Sequence, residues 1–311
     1  MYKACIKPAL LQLWNWAWGV FSIGNKIFYI VKDFFYQMFH RPPQIVSLEQ
    51  TLRYIIDNNC SVARFGDAEV KYIMGRPIWY QRDIPYLRTR MQDILKNHDP
   101  QMIVCVPGPL ASLVEYREHD VQFWREHFSY SRPYWYGNMD KTKLYYEAFI
   151  SSFYLPYKDK SKAPLYVNLW KQIWDKRDVI IVEGEKSRLG VGNDLFGNVN
   201  SIKRILAPNL NAFDFYDDLL NEVKTYSTEH LVLIAMGPTA KVLVQDLCHV
   251  GYQAIDVGHI DIEYEWMLMG VSDKVPVKNK FVNEAGAGKG VGECVDEEYL
   301  SQIVKVFDHN A

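Results

Sequence analysis

Two acidic pairs in this sequence have the residue types and the spacing to do chemistry. Each reads Asp-x-Glu and follows a short apolar run: Asp67 with Glu69, and Asp261 with Glu263. On extended backbone, side chains two positions apart point the same way, so each pair could share one divalent cation. Oxygen ligands suit Mg²⁺ or Mn²⁺, which often accompany substrate phosphates. The pairs therefore predict a metal–diphosphate site or a base that deprotonates a hydroxyl group.

A second stretch, from Gly184 to Asp194, contains three glycines and two cations. Its backbone N–H groups, together with Lys186 and Arg188, could surround a phosphate. The stretch matches neither GxGxxG nor GxxxxGK[ST]. An ordinary loop is therefore the alternative interpretation.

Two further positions follow predicted strands. Gly237-Pro238-Thr239 begins a predicted helix, where Thr239 could cap the helix and its amino terminus could attract an anion; a plain helix cap is the alternative. His259 could be a metal ligand, a base or a core histidine. No second histidine lies at ligand spacing, which argues against zinc.

The elements that must position these residues alternate along the chain. The pattern predicts short strands that end at glycines or polar residues, each followed by a helix, and this favours a doubly wound α/β sheet. The predicted strands are 60–65, 102–106, 179–182, 231–235 and 254–257. The predicted helices are 47–58, 86–97, 110–118, 141–154, 167–174, 213–226 and 239–250. Ligands of such sheets bind beyond the carboxyl ends of the strands, which is where the acidic pairs and the glycines fall.

Composition narrows the class of protein. The chain has 311 residues, 49% of them hydrophobic and 23% charged, with a formal net charge of −2. That is a globular composition, and it lacks the basic surface that nucleic-acid binding needs. Its five cysteines are scattered without a CxxC motif, which indicates buried free thiols in a reducing, cytoplasmic compartment.

Residues 1–42 differ from the remaining chain, 43–311, which we interpret as one catalytic domain. The segment is rich in Trp and Phe, has five basic residues and contains Asp33 as its one acid. This composition predicts a helix on the surface of an anionic membrane, at the inner face of the cytoplasmic membrane. Packing on the catalytic domain and a membrane-spanning helix are the alternatives.

Several segments together resemble the GT-D type glycosyltransferases, a family first catalogued as a bacterial domain of unknown function. The resemblance runs from about residue 47 to residue 283. It is carried by the segments 64–69, 183–194, 201–205, 208–209, 211–213, 237–240 and 251–266. Ala68 stands where the family often has glycine, a small change that should matter little.

The resemblance implies a Rossmann-like, mostly parallel sheet flanked by helices. It also implies a nucleotide-sugar donor (UDP-hexose in known members), a divalent metal (Mn²⁺ or Mg²⁺) and a DxE motif. Members build surface polysaccharides or extend protein-linked glycans, so the implied acceptor is a lipid-linked or protein-linked glycan. Either acidic pair could be the family's motif.

We therefore carry both pairs as metal ligands: Asp67, Glu69, Asp261 and Glu263. Glu263 or Asp67 is the expected general base, in a direct displacement with inversion. The expected donor-binding residues are Arg64, Gly66, Glu183, Arg188, Gly190, Asn193, Asp194, Gly237, Thr239 and His259. Two other functions stay open: a metal-dependent phosphohydrolase or nucleotidyltransferase, and a non-catalytic scaffold of a glycan-assembly complex.

Overall fold

A computed structural model describes residues 23–25, 27–282, 285 and 291–308. These residues form an eight-stranded sheet in which every neighbouring pair of strands is parallel, with strand order β3-β2-β1-β7-β6-β4-β5-β8. The strands are β1 (Ser61–Arg64), β2 (Met102–Val106), β3 (Tyr146–Glu147), β4 (Asp178–Gly184), β5 (Ser201–Ala207), β6 (Leu231–Ala235), β7 (Gln253–Asp256) and β8 (Ile303–Val306).

The helices connect these strands across both faces of the sheet. They are α1 (Leu48–Asn58), α2 (Asp67–Ile73), α3 (Pro85–Leu95), α4 (Glu118–Asn138), α5 (Ala163–Ile173), α6 (Tyr216–Val223), α7 (Pro238–His249), α8 (Ile260–Met269) and α9 (Glu297–Gln302). One apolar core lies between the sheet and α1, α5 and α8, and a second lies between the sheet and α2, α3, α4, α6 and α7. The predicted α/β fold with a parallel sheet is confirmed.

Local signals explain several element boundaries. Ser47 accepts a hydrogen bond from the backbone N–H of Gln50 and so caps α1, which ends at Asn59 in a left-handed conformation. Pro238 occupies the first turn of α7, where its missing N–H costs nothing. The strands β2 and β6 are continuous apolar runs because both faces of a parallel sheet are covered by helices.

Two predicted helices are wrong, because long-range pairing overrides their helical spacing. Residues 111–117 are not helical: the backbone N–H of Arg117 donates to the carbonyl of Pro156, and that of Lys158 donates to Glu115. Within 141–154, Tyr145 exchanges backbone hydrogen bonds with the segment 44–46, and a short strand and a 3₁₀ turn follow. The long helix α4 and the strands β5 and β8 were missing from the predicted elements.

The N-terminal helix comprises residues 23–25 and 27–39, so the part of the predicted membrane segment in 1–22 lies outside the described residues. It packs on the catalytic domain through a buried ion pair between Asp33 and Arg132 of α4. Among the described residues, no helix has both the length and the apolar character needed to cross a membrane.

Candidate functional site

The carboxyl ends of the strands open into two neighbouring clefts. The first, which we call the glycine cleft, lies beyond β4, β5, β6 and β7. Gly184, Gly237 and Gly258 contribute backbone to its walls. The remaining lining includes Tyr80, Gln81, Ser187, Leu189, Pro208, Asn209, Met236, His259, Asp261, Phe281 and Val282.

The second, which we call the acidic cleft, lies beyond β1 and β7 and reaches the start of α4. Six carboxylates line it: Asp67, Glu69, Asp120, Asp256, Glu263 and Asp273. Arg64, Arg117, Lys241 and Lys274 supply positive charge, and Phe123, Trp124, Phe149 and Trp266 supply aromatic surface. Tyr80, Gly258 and His259 line both clefts, so the two clefts meet there.

Both Asp-x-Glu pairs lie in first helical turns, and our expectation of extended backbone was wrong. Asp67 and Glu69 begin α2, and Asp261 and Glu263 begin α8. Two positions along a helix are separated by about 200° around its axis. The two carboxylates of each pair therefore point in different directions.

In the first pair, the two carboxylates have different surroundings. Asp67 is partly exposed and accepts from Lys71 Nζ at 2.7 Å, an ion pair one turn along the same helix. Glu69 is buried, accepts from the backbone N–H of Gly66 at 2.8 Å and lies 2.8 Å from Lys241 Nζ. Asp67 is therefore held by a surface contact and Glu69 by an internal one.

Lys241 is a buried cation at the floor of the acidic cleft. Its Nζ lies 2.8 Å from Glu69, 2.9 Å from Asp256 Oδ2 and 3.0 Å from the carbonyl of Gly237. Burial alone would lower the pKa of Lys241, but the two carboxylates outweigh burial and raise it. Lys241 therefore ties together the turns after β1, β6 and β7.

In the second pair, both carboxylates are buried. Asp261 accepts from Lys280 Nζ at 2.6 Å and from Asn193 Nδ2 at 2.7 Å, and burial raises its pKa despite Lys280. Glu263 Oε1 accepts from the backbone N–H groups of Tyr154 and Leu155, at 2.8 Å and 2.5 Å.

These contacts decide how well the predicted metal fits. A shared cation needs two or more carboxylates that converge, and each pair is divided by its helix. Among the described residues, no group of three His, Cys, Asp or Glu side chains could hold a metal ion. As arranged here, neither pair forms a chelating site.

Several residues in and beside the glycine stretch 184–194 form contacts within the protein instead of facing a cleft. Glu183 is fully buried, forms an ion pair with Arg204 and accepts from the backbone N–H of Leu189 at 2.8 Å. Burial raises the pKa of Glu183, and Arg204 opposes that shift. The Asn193 amide donates to Asp261 at 2.7 Å, whereas Asp194 is exposed and pairs with Lys171 at 2.8 Å.

Arg188 does not reach either cleft. It lies in a left-handed conformation, with φ of 52°, and donates to the carbonyls of Asn279 and Gly292 at 2.9 Å and 2.5 Å. It therefore holds the segment 277–282, whose Phe281 and Val282 form a wall of the glycine cleft. Its effect on that cleft is indirect.

Close packing explains the glycines of the glycine cleft. A Cβ atom on Gly184 would lie 2.0 Å from Asn209 Oδ1, and one on Gly237 would lie 3.1 Å from the ring of Tyr80. Gly237 also has a positive φ of 52° and is itself the cap of α7. Thr239 is not the cap: it is fully buried, and its hydroxyl has no hydrogen-bond partner among the described residues.

The structure thus brings together about half of the residues predicted from the sequence. Those that line a cleft are Arg64, Gly66, Asp67, Glu69, Gly237, His259, Asp261 and Glu263. Those that line neither of the two clefts are Glu183, Arg188, Gly190, Asn193, Asp194 and Thr239.

Sequence reasoning missed other residues of the site. Asp256 ends the apolar strand β7, and an acid in that position was an available signal. Lys241 follows Gly237 by one helical turn, but its burial between two carboxylates is a tertiary feature. Tyr80 and Phe281 come from irregular segments and had no local signal, and Asn209 was named only within the segment 208–209 that carries the family resemblance.

Comparisons with known proteins agree on one family. A profile for the glycosyltransferase GT-D fold matches residues 62–285. Glycosyltransferase GlyD of Streptococcus pneumoniae serotype 4 is 40% identical over 262 residues, which is 84% of this chain and 32% of that protein. A probable glycosyl transferase Gly of Streptococcus gordonii is 37% identical over 273 residues, or 85% of this chain and 39% of that protein. The chain therefore spans between 32% and 39% of the length of these curated relatives.

Solved structures give the same result. A domain of unknown function 1792, described as having a distinct glycosyltransferase fold, is 39% identical with a TM-score of 0.82, over 85% of this chain and 96% of that one. A structure described as a new glycosyltransferase from Streptococcus sanguinis is 37% identical with a TM-score of 0.82, over 86% of this chain and 100% of that one.

Proposed function

This chain belongs to the glycosyltransferase GT-D family, and from that premise we propose that it moves a hexose from a nucleotide-diphosphate sugar, with UDP-sugar as the expected donor, to a hydroxyl group of a glycan acceptor. The observation that supports this most is the pair of clefts that meet at Tyr80, Gly258 and His259. A transferase needs two substrates whose reacting atoms come together. Two clefts with one shared wall provide that arrangement.

We assign the donor to the glycine cleft. Gly184 and Gly237 leave room for Asn209 and Tyr80 to form walls of this cleft, and α7 begins directly after Gly237. The amino terminus of a helix favours the negative charge of a diphosphate. Gln81 and Asn209 supply amide groups that can bind the nucleotide.

We assign the acceptor to the acidic cleft, with Asp67 as the general base. Its partner Lys71 is a partly exposed side chain that can move aside, whereas Glu69 is fixed by Lys241. The acceptor oxygen attacks the anomeric carbon while Asp67 takes the hydroxyl proton. The bond from that carbon to the diphosphate oxygen breaks, and UDP leaves. A single displacement of this kind inverts the configuration. Glu263 is the second candidate for the base.

The requirement for Mn²⁺ or Mg²⁺ remains a prediction from the family resemblance. Since the two carboxylates of each Asp-x-Glu pair point in different directions, we place no step of the mechanism on a metal. The proposed setting is the synthesis of bacterial surface polysaccharide or glycoprotein glycans in the cytoplasm, with residues 1–42 at the membrane.

Labelled UDP-hexoses, incubated with the protein and with bacterial glycan acceptors, test this proposal. We expect label in the acceptor and an equal amount of released UDP, with slow hydrolysis when the acceptor is left out. Donor hydrolysis that is faster without acceptor would favour a phosphohydrolase. Intact complex formation without nucleotide binding would favour a scaffold. The same assay with EDTA, followed by added Mn²⁺, tests the metal.

A further inference from the structure

The N-terminal helix faces the protein with its polar side. Its less exposed positions recur every three or four residues and so share one face: Asn25, Tyr29, Asp33, Tyr36 and, directly after the helix, His40. Asp33 is 4% exposed in its ion pair with Arg132, and the ring of Tyr36 lies 5.8 Å from that of Tyr136.

The opposite side of this helix is apolar and open. Nine large apolar side chains on it are between 43% and 79% exposed: Ile23, Ile27, Phe28, Ile30, Val31, Phe34, Phe35, Met38 and Phe39. A surface helix of a globular protein has the reverse arrangement, with its apolar side on the core. An exposed apolar stripe of this length marks a surface that meets another apolar phase.

Charge identifies that phase. Asp33 is the one acid in residues 1–42, and Arg132 neutralises it. By sequence, the same segment contains five basic residues and therefore has an excess of positive charge: Lys3, Lys7, Lys26, Lys32 and Arg41. An anionic lipid surface attracts such a segment, whereas the same segment of a second copy has like charge and would repel it.

The helix also has a definite direction relative to the acidic cleft. Asp33 meets Arg132 and Tyr36 meets Tyr136, so the helix runs parallel to α4. Its beginning therefore points toward the beginning of α4, where His119, Asp120 and Phe123 line the acidic cleft. Phe123 lies about 14 Å along α4 from Arg132, at 1.5 Å per residue.

We propose that the N-terminal helix lies in the surface of an anionic membrane and that the acceptor is a lipid-linked glycan. The lipid stays in the membrane beside the apolar stripe. The sugar enters the acidic cleft at the beginning of α4. The acceptor part of this inference rests on the proposed transferase function. The membrane part rests on the helix alone.

Vesicle co-sedimentation tests the membrane part. The variant carries Phe28→Ser, Phe34→Ser and Phe35→Ser; the control carries Leu144→Ser, Val250→Ser and Leu300→Ser, which are 46–47% exposed elsewhere on the surface. On vesicles of phosphatidylcholine with phosphatidylglycerol, we expect the variant to bind about tenfold more weakly or worse and the control to bind like the wild type. Equal sedimentation of variant and wild type would overturn the proposal. So would a wild-type dimer that dissociates in the variant while neither protein binds vesicles.

Product partition tests the acceptor part. Membranes of a bacterium that encodes this chain are incubated with the protein and labelled UDP-glucose or UDP-galactose, then extracted with organic solvent. Label in the solvent extract supports a lipid-linked acceptor, and the triple Phe variant should transfer less of it. Label confined to precipitated protein would overturn the lipid-linked acceptor and leave transferase activity intact. Release of free hexose with label in neither fraction would instead contradict the transferase function itself.

Discussion

The four carboxylates of the Asp-x-Glu pairs have different hydrogen-bond and ion-pair partners. Substitutions of them should therefore have different effects on stability and turnover. Asp67 has a partly exposed lysine as its partner, while Glu69 and Asp261 each face a buried lysine. A surface ion pair contributes at most about 1 kcal/mol. Removal of one partner from a buried pair costs about 3–5 kcal/mol, because it leaves a charge in the interior.

Asp67→Asn should therefore fold like the wild type and lose turnover. We expect a decrease in kcat of about 10²–10⁴-fold, the usual contribution of a general base, with nucleotide binding unchanged. Steady-state kinetics and UDP titration of the same preparation measure both effects. Wild-type turnover in this variant would move the base to Glu263, for which Glu263→Gln is the matching variant.

Glu69→Gln and Asp261→Asn should lose stability instead. We expect decreases in the free energy of unfolding of about 3 kcal/mol, near the low end for a broken buried pair, because Asp256 and Glu265 still face the two lysines. Urea denaturation measures the decrease, with Asp67→Asn as the control. Adding Lys241→Met to Glu69→Gln should increase the loss, because the buried Asp256 would then have no cation beside it. Unfolding curves that coincide for Glu69→Gln and Asp67→Asn would refute this assignment.

At the scale of elements, one buried carboxyl joins the end of β2, the strand β3 and the 3₁₀ turn after it. Glu147 accepts from the backbone N–H groups of Gly108 and Phe149, at 3.0 Å and 2.9 Å, and from the Tyr116 hydroxyl at 3.3 Å. Burial raises the pKa of Glu147 from an ordinary value near 4.5 to about 7, and the two N–H groups oppose this shift. The folded protein therefore keeps a proton here that the unfolded chain releases.

The free energy of unfolding should consequently fall as pH rises from about 4.5 to about 7. The contribution of Glu147 to that fall is at most about 3 kcal/mol, at 1.36 kcal/mol for each unit of pKa shift. Glu147→Gln should show a smaller decrease over this window. Urea denaturation at both ends of the window measures it, with Glu229→Gln, at an exposed position, as the control. A wild-type slope in Glu147→Gln would show that Glu147 ionises normally.

The sequence predicted elements well where local pattern and burial agree. The continuous apolar runs of β2 and β6 were placed with their observed ends. The pattern failed where partners distant in sequence decide the structure, as for Tyr145, whose backbone pairs with the segment 44–46. The strand β5 was hidden because its buried Arg204 looks like a surface residue until Glu183 is seen beside it.

The same distinction applies to the site. The predicted strand ends placed Asp67, Gly237 and His259 at one edge of the sheet, and the structure has them there. The direction of each side chain could not be read from spacing, because the same Asp-x-Glu spacing puts both carboxylates on one side of a strand but on different sides of a helix. The burial of Lys241 could not be read from the sequence either, since it depends on contacts with Glu69 and Asp256 that only the fold creates.

At the scale of the whole molecule, the two clefts and the N-terminal helix form one arrangement. The parallel sheet directs its strand ends to both clefts, and α4 connects the acidic cleft to the helix whose apolar side is exposed. Substitutions in the three parts should impair different properties. Those in the glycine cleft should weaken nucleotide binding, those in the acidic cleft should lower turnover, and those on the helix should weaken membrane binding.

Calorimetric titration of UDP into the wild type and into Gly184→Ala tests the central claim most directly, since a Cβ on Gly184 would displace Asn209 at the wall of the glycine cleft. Gly137→Ala is the matched control, because a Cβ there meets nothing within 4 Å. We predict that UDP binds the wild type and Gly137→Ala alike, and binds Gly184→Ala about tenfold more weakly or worse while the fold, checked by thermal melting, is kept. A wild type that does not bind UDP, or a folded Gly184→Ala that binds it equally well, would contradict the assignment of the donor to this cleft.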